Sequence, residues 1–209
     1  VGLELDIYAF RHGQTDWNLI KKFQGHTDIP LNAEGLRQAA ALAPLFEGVP
    51  IEAVVSSDLS RAAKTAEILA AHHKLPVQLD RRLREAHFGS VEGLTRDEVV
   101  QRLGADSWER WMSMAPEHMD FRFPGGESKR QFLARIQDFL AEYASKNPQT
   151  RTLALSTHGA VMRRLIQSCR NVSTEIQKEI WITNCEVHRL GFDPESKLWT
   201  YKAKAFQID

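Results

Sequence analysis

The chain has 209 residues, 43% hydrophobic and 26% charged, and its 27 Lys and Arg balance its 27 Asp and Glu, so the formal net charge is zero with His neutral. That length suits one domain with a sizeable core, and a balanced charge supplies no net field to draw in nucleic acid or an anionic membrane, so any anion site must be local. Cys169 and Cys185 lack disulfide-framework or zinc-ribbon spacing and fit a reducing interior. No apolar run approaches the ~20 residues of a membrane helix, and the N-terminal residues carry acids where a signal peptide carries cations. A cytoplasmic protein is expected, of open oligomeric state, with a dimer as one candidate.

Leu3, Leu5, Ile7 and Ala9 alternate with Glu4, Asp6, Tyr8 and Phe10, a strand period that ends at Arg11-His12-Gly13. Residues 14–31 show no periodicity and read as a long loop, a length often tied to function. Asn32 can cap a helix over about 33–46, followed by a short strand at 51–55 and a helix from Ser57 or Asp58 to about His73. A strand around 76–79 and helical pieces over 95–123, broken by Gly104 and Pro116, lead to the turn Pro124-Gly125-Gly126. Phe132, Leu133, Ile136, Phe139, Leu140 and Tyr143 mark a helix from Ser128 to about Ala144. A buried strand at 152–156 then runs into Thr157-His158-Gly159 and a helix over 160–169, and the chain closes with a hairpin around Asp193-Pro194. Alternating strands and helices predict a three-layer α/β/α sandwich with a mostly parallel central sheet, one domain over 1–209.

In open α/β sheets ligands bind beyond the carboxyl ends of strands. Arg11-His12-Gly13, Ser56-Ser57-Asp58-Leu59-Ser60-Arg61 and Thr157-His158-Gly159 all follow strands. Arg61 falls in the first turn of a helix, where a cation is unfavourable by ~0.3–1 kcal/mol. Its compensation is either Asp58 or a bound anion shared with Arg11 and the N–H groups of the Gly159 helix. His12 is either a core imidazole or a nucleophile, Gly13 being read as allowing a ligand to approach the backbone. His158 is either a buried or capping His or a second wall of the same pocket.

Other chemistries fail on spacing: there is no phosphate-binding G-x-x-x-x-G-K-[ST] loop, no G-x-G-x-x-G, and no G-x-S-x-G elbow. Neither cysteine has the spacing to Arg of a cysteine phosphatase, and His26-x-Asp28 and His72-His73 are the only metal-like pairs. No metal site and no cofactor are expected.

The segment Arg11-His12-Gly13-Gln14-Thr15-Asp16-Trp17-Asn18 resembles the signature of the histidine phosphatase superfamily, in its phosphoglycerate mutase-like branch. The likeness continues in order through Gln24-Gly25-His26-Thr27-Asp28, Ser56 to Ala66, Leu83-Arg84-Glu85-Ala86-His87-Phe88-Gly89, Pro124 to Ser128 and Thr157-His158-Gly159. It implies that His12 becomes a phosphohistidine, that Arg11, Arg61 and His158 surround the phosphoryl oxygens, and that Glu85 is the general acid, with Glu92 as the rival carboxylate. It also implies substrate contacts from Asn18, Gln24, Gly25, Gly159 and Ala160.

The implied activity is hydrolysis of a small phosphorylated metabolite without a metal. The alternatives are a bisphosphoglycerate-dependent phosphoglycerate mutase and a non-catalytic binder of phosphorylated ligands. The short interval between Glu85 and Gly125 and the pair Gln14-Thr15 point to the phosphatase subgroup, whereas an idle binder would be marked by loss of His12 or Glu85, and both are present. Residues 86–123 form an expected cap, in which Trp108, Trp111, Met112, Met114, Met119, Phe121 and Phe123 pack on the core or give an apolar entrance.

Overall fold

The alternating N-terminal run forms β1 (Leu5–Arg11), near the middle of a six-stranded sheet with β2 (Ala53–Ser56), β3 (Val77–Leu79), β4 (Thr152–Thr157), β5 (Val187–Asp193) and β6 (Leu198–Phe206). The structure, a computed structural model, describes residues 4–173 and 180–208, so the expected strand residue Leu3 lies outside it. The strand order is β3-β2-β4-β1-β5-β6. β1 to β4 pair in parallel, and β5 runs antiparallel to β1 and β6.

Both faces of this sheet are covered. Ile7, Ala9, Leu153 and Leu155 pack into one apolar cluster with the helices α6 (Lys129–Lys146) and α7 (Gly159–Gln167). Tyr8, Phe10, Val54 and Ala154 meet Leu42 of α2 (Ala33–Leu42) and Ala66 and Leu69 of α3 (Ser60–His73) in the other. The polar-looking face of the N-terminal alternation therefore turns into a second core at Tyr8 and Phe10, as a sheet buried on two sides requires. Buried α6 residues such as Phe132, Ile136, Phe139 and Leu140 each contribute about 1.5–3 kcal/mol by leaving water.

Local signals set most boundaries. Asn32 caps α2 through Gly35 N–H, and Ser128 and Gln131 form a reciprocal capping box on α6. The expected helix over 33–46 tightens into a 3-10 turn at Ala43–Phe46, where Pro44 cannot donate to the α-ladder. The expected 14–31 loop contains a four-residue helix, α1 (Asp16–Leu19), too short to show periodicity but closed by a Thr15/Asn18 capping box. The final hairpin begins at Val187, after a turn at residues 183–186 with Cys185 at φ +57°.

Residues 86–123 contain α4 (Arg96–Leu103) and α5 (Ala105–Met112), separated at Gly104. Two buried cations pin the carbonyl end of α5 to the core. Lys129 Nζ donates to Arg110 O and Trp111 O at 2.8 and 3.1 Å, and Arg164 donates to Trp111 O and Met112 O at 2.6 and 3.0 Å. Cations at a helix C-terminus complement its dipole. Cys169 and Cys185 are buried and unpaired, and burial pushes both thiols up to about 12. Among the described residues no helix is long and apolar enough to cross a membrane.

Candidate active site

Parallel pairing places three strand ends side by side. Arg11 is in register with Thr157, His12 N–H donates to Thr157 O at 3.1 Å, and Ser57 N–H donates to Ser156 O at 3.1 Å. His12, Ser57 and His158 are consequently neighbours at the carboxyl edge. The rings of His12 and His158 meet edge to face, with centroids 5.3 Å apart. Gly13 serves the scaffold rather than a ligand: a Cβ there would lie 2.4 Å from Gly35 O, so the strand end and α2 could not pack.

His12 is buried, and its Nδ1 lies 2.7 Å from Gly13 O. A carbonyl can only accept, so Nδ1 carries the proton and Nε2 keeps its lone pair. Burial, then the guanidinium groups of Arg61 and Arg11, hold the imidazole well below its usual range, although the Gly13 bond pulls the other way. His12 is neutral at physiological pH with one nitrogen available for attack. His158 is likewise held neutral, by burial first and then by Arg61. Its Nε2 lies 2.9 Å from Ser57 Oγ, while its buried Nδ1 has no partner among the described residues. His158 does not line the open cavity; it stands behind His12 and is fully buried.

Arg61 does not pair with Asp58, which is clamped by two 2.6 Å bonds from Arg84. Instead the Arg61 side chain donates to Gly25 O and Thr27 O at 2.8 and 2.9 Å. Burial brings it down to about 10, so it remains cationic near neutral pH. The loop that supplies those carbonyls is tied down by Glu92, which accepts from His26 N–H, Thr27 N–H, Thr27 Oγ1 and Phe88 N–H. Glu92 is thus a structural clamp, and the rival carboxylate is fully engaged. Gly25, at φ +53°, permits the turn; a Cβ would lie 2.1 Å from Glu92 Oε1.

Glu85 is buried and does not pair with Arg82 or Arg84. Its Oε2 accepts from Ala160 N–H at 3.0 Å, and its Oε1 accepts from Val161 N–H at 3.1 Å and Ala86 N–H at 3.0 Å. Glu85 therefore caps α7 from a distant segment. The expected offer of Ala160 N–H to a substrate is corrected, because Glu85 already takes it. The Glu85 carbonyl accepts from His26 Nε2 and from Arg135, which also binds Glu127. Sequence carried no signal for this role of Arg135, because the carbonyls it binds, those of Arg82 and Glu85, lie 50 or more residues away in the chain.

Arg11 donates to Ile182 O at 2.8 Å, and Asn184 donates to His12 O at 2.9 Å. The Nε groups of Arg11 and Arg61, both buried, have no acceptor among the described residues. An anion at the strand ends would satisfy such donors. Asn18 Oδ1 accepts from Thr15 and Asn184, and Gln24 Oε1 is buried without a partner. Arg11, His12, Asn18, Gln24, Gly25 and Arg61 line a cavity of about 700 Å³, as do Glu85, Gly159 and Ala160.

The cap adds Trp108, Trp111 and Met112 to its wall, in keeping with the expected apolar entrance, and Lys21, Lys22, Arg96 and Arg163 line the same cavity. Sequence gave no signal for these, since isolated surface cations are common. No group of three or more His, Cys, Asp or Glu converges as metal ligands would among the described residues. His26 instead binds Glu85 O, and Asp28 binds Ser60.

A curated relative from Proteus mirabilis, named "Probable phosphoglycerate mutase GpmB", is 31% identical over 188 residues, covering 90% of this chain and 85% of its own. The solved structure of mycobacterial glucosyl-3-phosphoglycerate phosphatase with VO3 is 29% identical with a TM-score of 0.81, covering 96% of this chain and 98% of that one. A putative alpha-ribazole-5'-P phosphatase from Escherichia coli shares the fold at 24% identity, with a TM-score of 0.76 over 98% of this chain and 99% of that one. The sequence profile of the histidine phosphatase superfamily (branch 1) matches residues 7–203. With ordered motifs and a fold that gathers them at one sheet edge, the chain belongs to the histidine phosphatase superfamily.

Proposed function

We propose that the protein is a metal-independent phosphomonoester hydrolase that acts on a small phosphorylated metabolite through a phosphohistidine at His12. The observation that carries this reading is a neutral His12 with Nδ1 tied to Gly13 O, sharing one cavity with Arg11 and Arg61, whose charges it feels. Nε2 attacks phosphorus in line as the bond to the leaving oxygen breaks, and Glu85 gives that oxygen its proton. Arg11 and Arg61 stabilise the phosphoryl charge with donors already in place, and the His158 ring backs His12 edge to face. Water then attacks the phosphohistidine, Glu85 takes its proton, and inorganic phosphate leaves. Asn18, Gln24, Gly25 and Gly159 contact the substrate. One catalytic domain spans the chain, with residues 86–123 as its roof.

A phosphoglycerate mutase is the second reading, favoured by the name of the curated relative. A mutase must shield its phosphoenzyme from water while product reorients, and here the roof has only two eight-residue helices. Acid-free quenching after reaction with a labelled phosphomonoester should trap a base-stable, acid-labile phosphoenzyme that is lost in His12→Ala. Its absence would overturn the proposal. A phosphomonoester panel, run in parallel with 3-phosphoglycerate isomerisation, separates phosphate release from transfer.

A further inference from the structure

Apart from Glu85, every charged side chain among the described residues lining the cavity is a cation. Arg11 and Arg61 serve the transferred phosphoryl group in the reading above, and the hydrogen bonds of Arg164 go to the carbonyl end of α5 and to Gln167. That leaves Lys21, Lys22, Arg96 and Arg163, none of which pairs with a carboxylate within 4 Å among the described residues. A single phosphate has no use for so many charges.

Three of the four lie over aromatic rings, Lys22 at 5.9 Å over Trp17. The Arg163 guanidinium lies 5.0 Å over the Trp181 ring and 3.4 Å from Met112 Sδ, and Arg96 lies 5.5 Å over Trp108. An aromatic face orients a guanidinium without neutralising it and leaves its N–H edge for an anion. Arg163 is also placed by helix geometry. Gly159, whose Cβ position is 3.2 Å from Arg11 Nε, sits at the phosphate end of α7, and Arg163 is one turn further along the same face. One turn is a rise of about 6 Å along the helix axis, and both residues line the cavity. The cation is half-buried, and Glu85 and Arg11 both feel its charge.

We propose that Arg163, held on Trp181 and assisted by Arg96 across the mouth, recognises a second anionic group on the substrate alcohol, a carboxylate or a further phosphate. This deepens the hydrolase reading and rests on it for the position of the first phosphate. The preferred substrates are thereby monoesters with a second negative group one helical turn from the phosphorus.

Three matched phosphonates test the subsite by calorimetry without any turnover: propylphosphonate, 3-phosphonopropionate and propane-1,3-diphosphonate. At least one of the two ligands with a second anionic group should bind about tenfold tighter than propylphosphonate, and which one does so identifies the group. Arg163→Gln should reduce that preference at least fivefold, whereas Lys64→Gln, at an exposed cation remote from the cavity, should not. Equal binding of all three ligands, or a preference that Arg163→Gln leaves intact, would overturn the inference. Turnover of 4-carboxyphenyl phosphate against its methyl ester supplies the catalytic arm. Hydrolysis of both with no preference refutes the subsite and leaves the hydrolase standing; retained ligand preference with no hydrolysis of either does the reverse.

Discussion

Replacing Glu85 with Gln keeps the shape of the side chain and removes the proton that the leaving oxygen needs. In the wild type both carboxyl oxygens accept, one from Ala160 N–H and the other from Val161 and Ala86 N–H. An amide has one acceptor oxygen. Placed on the Oε1 side it keeps two of the three donors and leaves Ala160 N–H facing its NH2 group. One unmet buried donor costs about 1–3 kcal/mol, and loss of a charge at the start of α7 adds about 0.3–1 kcal/mol. For a chain of this size that lowers Tm by roughly 3–15 °C, at about 2–4 °C per kcal/mol. The chemistry should suffer more. General acid catalysis is worth about 10²–10⁴-fold, a loss expected in full for an alkyl ester such as glycerol 2-phosphate. It should largely spare p-nitrophenyl phosphate, whose leaving group is stable as an anion. Steady-state kcat for the two substrates, measured well below the variant's Tm, decides the matter. Equal losses for both would refute Glu85 as the proton donor.

Gly25→Ala should raise KM for any phosphomonoester about tenfold while the protein still folds. The new Cβ displaces Glu92 and with it the carbonyls that orient Arg61, and an unchanged KM would show that the Arg61 clamp is dispensable. The acid limb of kcat/KM should lie below the ordinary His value of 6.5, because the folded protein holds His12 and His158 neutral. Both groups are lowered on folding, so their contribution to stability is present above about pH 6.5 and lost as pH falls through the folded values. NMR titration of the imidazole signals checks this, and a His12 midpoint at or above 6.5 contradicts it. Lys129 is brought down to about 7 by burial and by Arg164 and Arg110. Between about 7 and 10.5 the unfolded chain binds more protons at this residue, so stability should rise with pH there. Urea unfolding should show a smaller rise in Lys129→Met, and an identical slope would refute the effect.

The alternation before Arg11-His12-Gly13, the caps at Asn32 and Ser128 and the helical stripe from Phe132 to Tyr143 were readable because each signal lies within a few residues of the element it defines. The same holds for the ordered motifs that mark the family. Partners that close over long chain separations were not readable. Arg61 reaches Gly25 and Thr27, Asp58 goes to Arg84, and Glu85 caps α7 from 75 residues away. Arg163 and Arg96 become parts of one cavity only when α7 and α4 are docked.

The sequence by itself determined the α/β class, the family and the identity of His12, Arg11, Arg61, His158 and Glu85 as candidates, since local periodicity and residue order suffice for these. Only the tertiary structure decided which nitrogen of His12 is available, which backbone donors Glu85 and Glu92 each hold, and how a chain of zero net charge presents a cationic cavity. Charge balance sums over the whole chain, whereas a site is made by distance, and distance between remote residues is set by packing.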